Sequence, residues 1–363
     1  MRRNLPPAEM ERAVRDRDGA YDGIFLLGVR TTGVFCRPSC PARNPRPQNT
    51  EYFATAQEAL LAGYRPCKRC RPMDANGRPP DWVERLMSMV EADPTQRLTD
   101  ADLRAASIDP VRARRYFGKH YGMTFQTYHR ARRMGLALAR IRQGGELTGV
   151  ALDHGFESNS GFREAFAKLF GQPPGAARGA SCIVSRQLET PIGPFVAGAT
   201  DEGVCLLEFA DRRALETQLK TLRARLGCAI VPGDNRHLQT LADELARYFD
   251  GKLTRFTVPL VIRGTPFQES VWRRLLEIPY GETLSYGELA RAVGRPGAQR
   301  AVGQANGANR IAVVVPCHRV VQQNGELRGY GGGLWRKRFL LDLEQAHGEG
   351  GTAGLFAPGE HAR

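Results

Sequence analysis

Two groups of cysteines in this 363-residue chain have the spacing to do chemistry. Cys36 and Cys40 are separated by three residues and Cys67 and Cys70 by two. Two distant segments thus each offer a bite of two thiolates, the donor set of one tetrahedral Zn²⁺. A structural ion is the simpler reading of such spacing. Yet four thiolates around Zn²⁺ carry a formal charge of about 2−, and a zinc-bound thiolate stays deprotonated and open to alkylation at neutral pH. The second group is the run "VVVPCHRVV", Val313 to Val321, which sets Cys317 beside His318 in apolar surroundings. Cysteine attacks as the thiolate and needs a base or positive charge to bring its pKa down from about 8.5. Alone, the dipeptide reads as a buried thiol beside a satisfied histidine, with its apolar flanks packed as strand. Neighbours on a strand face opposite sides, so the pair cooperates only if Pro316 marks a turn or a water bridges the two.

The elements that must position these groups divide the chain. "RPMDANGRPPD", Arg71 to Asp81, reads as the exit from a small first domain. From Asp81 to about Gly171, segments such as "TFQTYHRARRMGLALARIRQ" space apolar residues three and four apart, as helices do. Within them, "ELTGVALDHGFESNSGFREAFAKLFGQPP" is a helix, a turn at Gly155 and a second helix ending at Gly171, which is helix-turn-helix geometry. An earlier stretch from Arg97 to Arg133 fits the same pattern but has Ser107, Ile108 and Asp109 where the turn glycine is expected. Candidates to face the groove are Arg112 and Arg115 in the first unit and Ser158, Asn159 and Arg163 in the second, each on its own more simply a solvated or phosphate-contacting residue than a base reader; His154 is expected to pack. After "GQPPGAARG", short β-branched runs divided by Pro and Gly predict a small sheet. Helices return at Thr265, and "SYGELARAVGRPGAQRAVGQANGANR" is a further helix-turn-helix whose second helix is rich in Ala and Gly. So bland a helix reads base identity poorly, which suits an enzyme that scans any sequence and extrudes one base.

Charge names the partner. With 52 Lys and Arg against 38 Asp and Glu the chain carries +14, and a polyanion, most simply nucleic acid, is the natural counterpart. No run approaches the roughly 18 apolar residues of a membrane span, and the first residues lack the apolar core of a signal peptide. We therefore expect a soluble cytoplasmic protein with no membrane partner. Eight unevenly placed cysteines do not make a disulfide scaffold; Cys182, Cys205 and Cys228 are expected to be buried structural thiols.

Three stretches carry resemblances. "RTTGVFCRPSC…GYRPCKRC" resembles the amino-terminal domain of the Ada adaptive-response proteins, which repair methylphosphotriesters in DNA. The resemblance implies that Cys36 accepts the methyl group while ligating zinc and that Arg43 contacts DNA. "VALDHGFESNSGFREAFAKLFGQPP" is similar to the second helix-turn-helix of AraC-type transcription activators. The region from about residue 183 to 346, with "PCHRV" at its centre, resembles the O6-alkylguanine-DNA alkyltransferases. That resemblance implies Cys317 as alkyl acceptor, His318 as base through a water and Glu344 as its orienter. It implies further that Arg300 enters the duplex, Tyr286 presses on the rotating phosphate, Asn309 holds the turn beside the cysteine and Tyr330 lines the guanine pocket. Arg310 follows Asn309 where many relatives have proline.

The expectation is a multidomain α+β protein. It comprises a zinc domain (1–78), an all-α AraC-type helix-turn-helix domain (82–178), a small ribonuclease-H-like sheet domain (183–263), a mainly helical winged-helix-like alkyltransferase domain (264–348) and a disordered tail (349–363). The function implied is single-turnover methyl transfer from O6-methylguanine and O4-methylthymine to Cys317, and from methylphosphotriesters to Cys36. The second transfer would turn the protein into an activator of alkylation-repair genes. The rival reading is a zinc-containing regulator with a vestigial last domain. Implied partners are alkylated duplex DNA, promoter DNA and RNA polymerase, the protein itself being a monomer with one Zn²⁺.

Overall fold

The computed structural model describes residues 5–73, 80–121, 123–212 and 214–348. The expected tail, 349–363, and most of the Pro/Gly-rich exit segment lie outside the described residues.

The amino-terminal part joins two helices, α1 (Pro7–Arg15) and α2 (Ala56–Leu61), to a sheet of strands β1 (Leu26–Val29), β2 (Val34–Cys36), β3 (Thr50–Phe53) and β4 (Arg65–Pro66) in the order β3-β1-β2-β4. β1 and β2 are antiparallel, with Gly33 at φ 59 in the connecting turn. β4 runs parallel to β2 and pairs Phe35 with Pro66. Parallel pairing brings two strands out of the sheet at the same end, so Cys36 and Cys67 emerge side by side.

Six helices follow: α3 (Asp81–Ala92), α4 (Asp100–Ala105), α5 (Pro110–Tyr121), α6 (Phe125–Arg142), α7 (Leu147–Asp153) and α8 (Asn159–Phe170). α4 with α5 and α7 with α8 are the two helix-turn-helix units, and α6 is the long link between them. In the second unit Gly155 makes the turn at φ 70. The first unit has no glycine there, and Ser107 itself adopts the left-handed conformation, φ 58. The cost of roughly 1–2 kcal/mol for such a backbone is tolerable in a packed domain. Arg133 of α6 is buried, and its Nη1 donates to the carbonyl of His154 at 2.8 Å, binding α6 to the second turn. His154 packs as expected, its ring Nδ1 2.8 Å from the Val150 carbonyl.

The next part is a sheet of β5 (Cys182–Leu188), β6 (Phe195–Ala199), β7 (Val204–Phe209) and β8 (Ala229–Pro232), ordered β7-β6-β5-β8, with α9 (Leu215–Leu226) and α10 (Arg236–Phe249). Cys182 and Cys205 are buried; Cys228, expected to be buried, is only partly so and lies just before β8. The helical part is not free of this sheet: Met134 and Ala137 of α6 share one core with Cys182 and Val231.

The carboxy-terminal part contains α11 (Pro266–Leu275), β9 (Leu284–Ser285), α12 (Tyr286–Ala292), α13 (Gln299–Gly307), β10 (Val320–Val321) and α14 (Leu334–His347). α12 and α13 form the third helix-turn-helix, with Gly294 at φ 70 and Gly297 at φ 86 in the turn. β7 reaches into this part: Leu207 donates to the Arg310 carbonyl at 2.7 Å and accepts from Ala312 at 2.8 Å. The amino-terminal part docks on α14, where the Trp335 indole donates to the Ala20 carbonyl at 2.6 Å and Arg338 pairs with Glu9 at 3.0 Å.

Candidate functional site

The four cysteines expected to bind metal converge. Their sulfurs all lie within 4.8 Å of one another, with Cys36, Cys40 and Cys67 buried and Cys70 partly so. β2 and β4 deliver Cys36 and Cys67. A turn closed by the Cys40 N–H on the Arg37 carbonyl at 3.1 Å returns Cys40 to the same place, and the Arg37 N–H points at the Cys70 sulfur at 3.4 Å. Left to themselves such thiols resist ionising together. The Cys36 thiol, hydrogen-bonded to Cys70 and buried, is pushed far up, and burial takes Cys40 to about 11. Cys70, which accepts from Cys36, drops to about 5. Only a cation lets all four sulfurs become thiolates at once, and one zinc ion fits this donor set.

Cys317 occupies a different setting from the strand its apolar flanks suggest. Residues Cys317–Arg319 form a single 3₁₀ turn, and the Cys317 N–H reaches the Val315 carbonyl at 2.8 Å around Pro316. Val313 has φ 70, a costly conformation for a β-branched residue, and marks a strained bend ahead of the nucleophile. Strand hydrogen bonding would have set Cys317 and His318 on opposite faces; the turn does not.

Asn309 fixes the bend. Its Nδ2 donates to the Val315 carbonyl at 2.9 Å and to the Cys317 sulfur at 3.2 Å, while its Oδ1 accepts the Ile311 N–H at 2.9 Å. Burial pushes the Cys317 thiol up, and the Asn309 donor opposes that shift. His318 is fully buried, and its Nε2 lies 2.8 Å from Glu344 Oε1. Glu344, also fully buried, accepts from Arg319 at 2.8 and 3.0 Å, from the Tyr248 hydroxyl at 2.7 Å and from the Gly281 N–H at 3.2 Å. Burial alone would raise this carboxyl, but the His318 and Arg319 interactions prevail and hold it well below the usual carboxylate range. Burial lowers His318, which is therefore neutral. A carboxylate can only accept, so His318 carries its proton on Nε2 and presents the lone pair of Nδ1, which makes no hydrogen bond to the protein.

Around this centre, Tyr330 has its hydroxyl enclosed without a partner among the described residues, beside a narrow cleft of about 10 Å³ that is also lined by Cys317, Asn306 and Asn309. Tyr286 is half-buried, its hydroxyl 3.5 Å from the Arg328 carbonyl and its ring against Gly303 of α13. Arg300 is exposed on α13, and Arg43 is exposed close to the four cysteines in sequence. Arg310 turns away, to the Arg263 carbonyl at 2.7 Å and the Trp272 ring. In the second helix-turn-helix unit, Arg163 is exposed, but Ser158 caps α8 by accepting the Gly161 N–H at 3.1 Å and Asn159 reaches Thr148 at 3.2 Å. Arg115 is exposed on α5, and Arg112 lies over the Trp82 ring at 4.8 Å.

Four polar residues of the site went unread in the sequence. Arg319 stands inside "PCHRV", where a buried charge beside two functional residues was the available signal. Glu208 is a lone acid in "VCLLEFA", and its presence in a wholly buried strand was the clue. Tyr248 and Asn306 gave no signal, since each is brought to the site only by packing.

Fold and geometry together define a multidomain DNA-binding protein with a four-thiolate metal centre at one end and a buried cysteine, backed by a histidine and a carboxylate, at the other. Four family models match the chain: the metal binding domain of Ada over residues 9–73, a helix-turn-helix domain over 103–180, and the ribonuclease-like and DNA binding domains of 6-O-methylguanine DNA methyltransferase over 183–262 and 266–346. The chain is 36% identical, over 93% of its length and 96% of the relative's, to the bifunctional transcriptional activator/DNA repair enzyme Ada of Escherichia coli. Its last part is 62% identical over 161 residues to a methylated-DNA--protein-cysteine methyltransferase of Mycobacterium bovis, covering 44% of this chain and 92% of that protein. A crystal structure of the Mycobacterium tuberculosis O6-methylguanine methyltransferase aligns with 46% of the chain and 96% of its own length, at 43% identity and a TM-score of 0.41. The chain belongs to the Ada family. Among the described residues no helix is long and apolar enough to cross a membrane.

Proposed function

We propose that the protein is a single-turnover DNA methyltransferase with two acceptors, Cys317 for O6-methylguanine and O4-methylthymine and Cys36 for methylphosphotriesters, and that methylation of Cys36 makes it an activator of alkylation-repair genes. The observation that carries the reading is the chain of contacts Asn309–Cys317 and His318–Glu344–Arg319, an arrangement of nucleophile, base and orienter.

His318, neutral with Nδ1 free to accept, takes the Cys317 proton through a water. The thiolate attacks the methyl carbon; the S–C bond forms, the C–O bond breaks, and guanine leaves with the electron pair and takes up one proton. Tyr330, whose hydroxyl has no other partner, donates to the departing base. The product is a thioether, which no group here can expel, so each molecule acts once. Arg300 and Tyr286, on α13 and at the start of α12, attend the extruded nucleotide.

A zinc ion held by Cys36, Cys40, Cys67 and Cys70 supplies the positive charge that keeps the sulfurs as thiolates. Cys36 takes the methyl group from the triester, whose phosphate leaves as the ordinary diester anion, and Arg43 holds the DNA beside it. Methylation removes one negative charge from the centre and so weakens its repulsion of a nearby phosphate by about 1 kcal/mol per close contact in water. DNA affinity then rises without refolding. The two helix-turn-helix units engage promoter DNA, and the bound protein, a cytoplasmic monomer, engages RNA polymerase.

Incubation with DNA carrying both lesions, followed by peptide mass analysis, tests the reading. One added methyl on each of the Cys36 and Cys317 peptides is expected. DNA binding with Cys317 unmodified would overturn the repair half, and release of many products per molecule would overturn single turnover.

A further inference from the structure

We propose that Arg212, held by the buried carboxylate of Glu208, is a specificity-determining residue that forms a fixed wall beside Cys317 and favours methyl over bulky alkyl groups. The proposal rests on Cys317 being the alkyl acceptor.

Glu208 lies on β7, every residue of which is buried, and it is itself fully buried. It accepts its neighbour's Phe209 N–H at 2.9 Å and the Arg212 guanidinium. Burial pushes the Glu208 carboxyl upward while Arg212 opposes the shift. A pair of apolar side chains would fill the same space at no such cost, so fold stability does not call for charge here. Arg212 does more than neutralise Glu208. Its Nη2 donates to the Gly307 carbonyl, the last residue of α13, at 2.6 Å. Its guanidinium carbon lies 2.5 Å from where a Cβ on Gly331 would stand, so a larger residue there would have to displace the arginine from this position. Phe209 fills the matching space over Gly332 and meets the Tyr330 ring edge-on, centroids 6.0 Å apart.

One side chain of the sheet part thus touches both segments that bracket Cys317, the end of α13 and the Tyr330–Gly332 loop. Glu208 and Arg212 both line the narrow cleft, about 10 Å³, onto which Cys317 opens. A guanidinium tied in place by its partners on two sides cannot swing aside as a flexible apolar side chain would. A methyl group needs little room next to the sulfur, whereas a benzyl group must displace this wall or the loop it supports.

The test uses the full chain and duplex DNA containing a single O6-methylguanine or O6-benzylguanine, with the single-turnover rate of Cys317 labelling read by peptide mass. In Glu208→Gln/Arg212→Ala, which leaves no unpaired charge, the ratio of benzyl to methyl rate should rise by about tenfold or more. Arg212→Lys keeps the charge but loses the fork, and should raise the ratio by a smaller factor. If the double variant melts below the assay temperature, the lysine variant decides. Rates that fall together at an unchanged ratio overturn the proposal and leave Arg212 a structural residue. Failure of the acceptor reading looks different: the unsubstituted protein would then label Cys317 with neither substrate.

Discussion

Glu344 is the group on which the Cys317 centre depends, and Glu344→Gln separates its two roles. The carboxylate is fully buried and takes hydrogen bonds from His318, both reachable edges of Arg319, Tyr248 and Gly281. The amide keeps the shape and one acceptor oxygen but removes the negative charge that pairs with Arg319, and its NH₂ meets donors. Leaving a buried guanidinium without a counter-charge costs about 3–5 kcal/mol, which for a unit of this size lowers the melting temperature by about 6–20 °C. The second effect is chemical: without a carboxylate to fix Nε2–H, His318 no longer offers Nδ1 reliably, and loss of a general base slows reaction by about a hundredfold to ten-thousandfold. Melting is followed by near-ultraviolet circular dichroism. Methyl uptake is followed in single turnover at a temperature where that signal shows the variant folded. Tyr248→Phe removes one bond to the same carboxylate and should cost about 1.5–3 kcal/mol, with the rate changed by no more than a few-fold. A folded Glu344→Gln protein that transfers methyl at the unsubstituted rate would refute the orienting role. An unchanged melting temperature would refute the energetic one.

Three further outcomes follow. A strong chelator should abolish methyl uptake at Cys36 and leave uptake at Cys317 within a few-fold, because the two centres share no ligand; peptide mass reads both at once. Asn309→Ala removes the donor that opposes the burial shift of Cys317, so the pH midpoint of methyl uptake should move upward, and a midpoint that stays or falls would count against it. Burial lowers His129, buried on α6, to about 4. As pH falls below the ordinary value of about 6.5 the unfolded chain takes up a proton that the folded chain refuses until about pH 4, which removes about 3 kcal/mol of stability over that window. Denaturant melts of the unsubstituted protein and His129→Phe should therefore diverge in pH dependence below pH 6.5, the substituted protein losing less.

Much of this molecule was legible in one dimension because its signals are local. The four cysteines come as two close pairs, and a close pair is already most of a chelate. Gly155 and Gly171 mark a turn and a helix end because glycine alone enters those backbone regions freely, and both have positive φ. The sequence rule failed where packing overrode it. Ser107 makes the first turn at φ 58 without glycine, since the helices on either side hold it there. Ser158 also serves a local role the pattern left unstated, its hydroxyl accepting the Gly161 N–H in the first turn of α8.

The order of residues names the groups that can do chemistry: a thiolate set for one metal ion, a cysteine next to a histidine, and three helix-turn-helix patterns with an excess of positive charge. Tertiary structure decided their states. Whether Cys317 sits on a strand or in a turn depends on Asn309 and on the edge of β7, which donates to the Arg310 carbonyl and accepts from the Ala312 N–H. Which nitrogen of His318 carries the proton depends on Glu344, 26 residues away along the chain. Glu344 stays ionised because His318 and Arg319, from another segment of the chain, reach it. A proton's position and a wall beside a sulfur are set by fields and contacts acting over a few ångströms, and only the folded chain brings residues as far apart as Arg212, Tyr248 and Glu344 within that range.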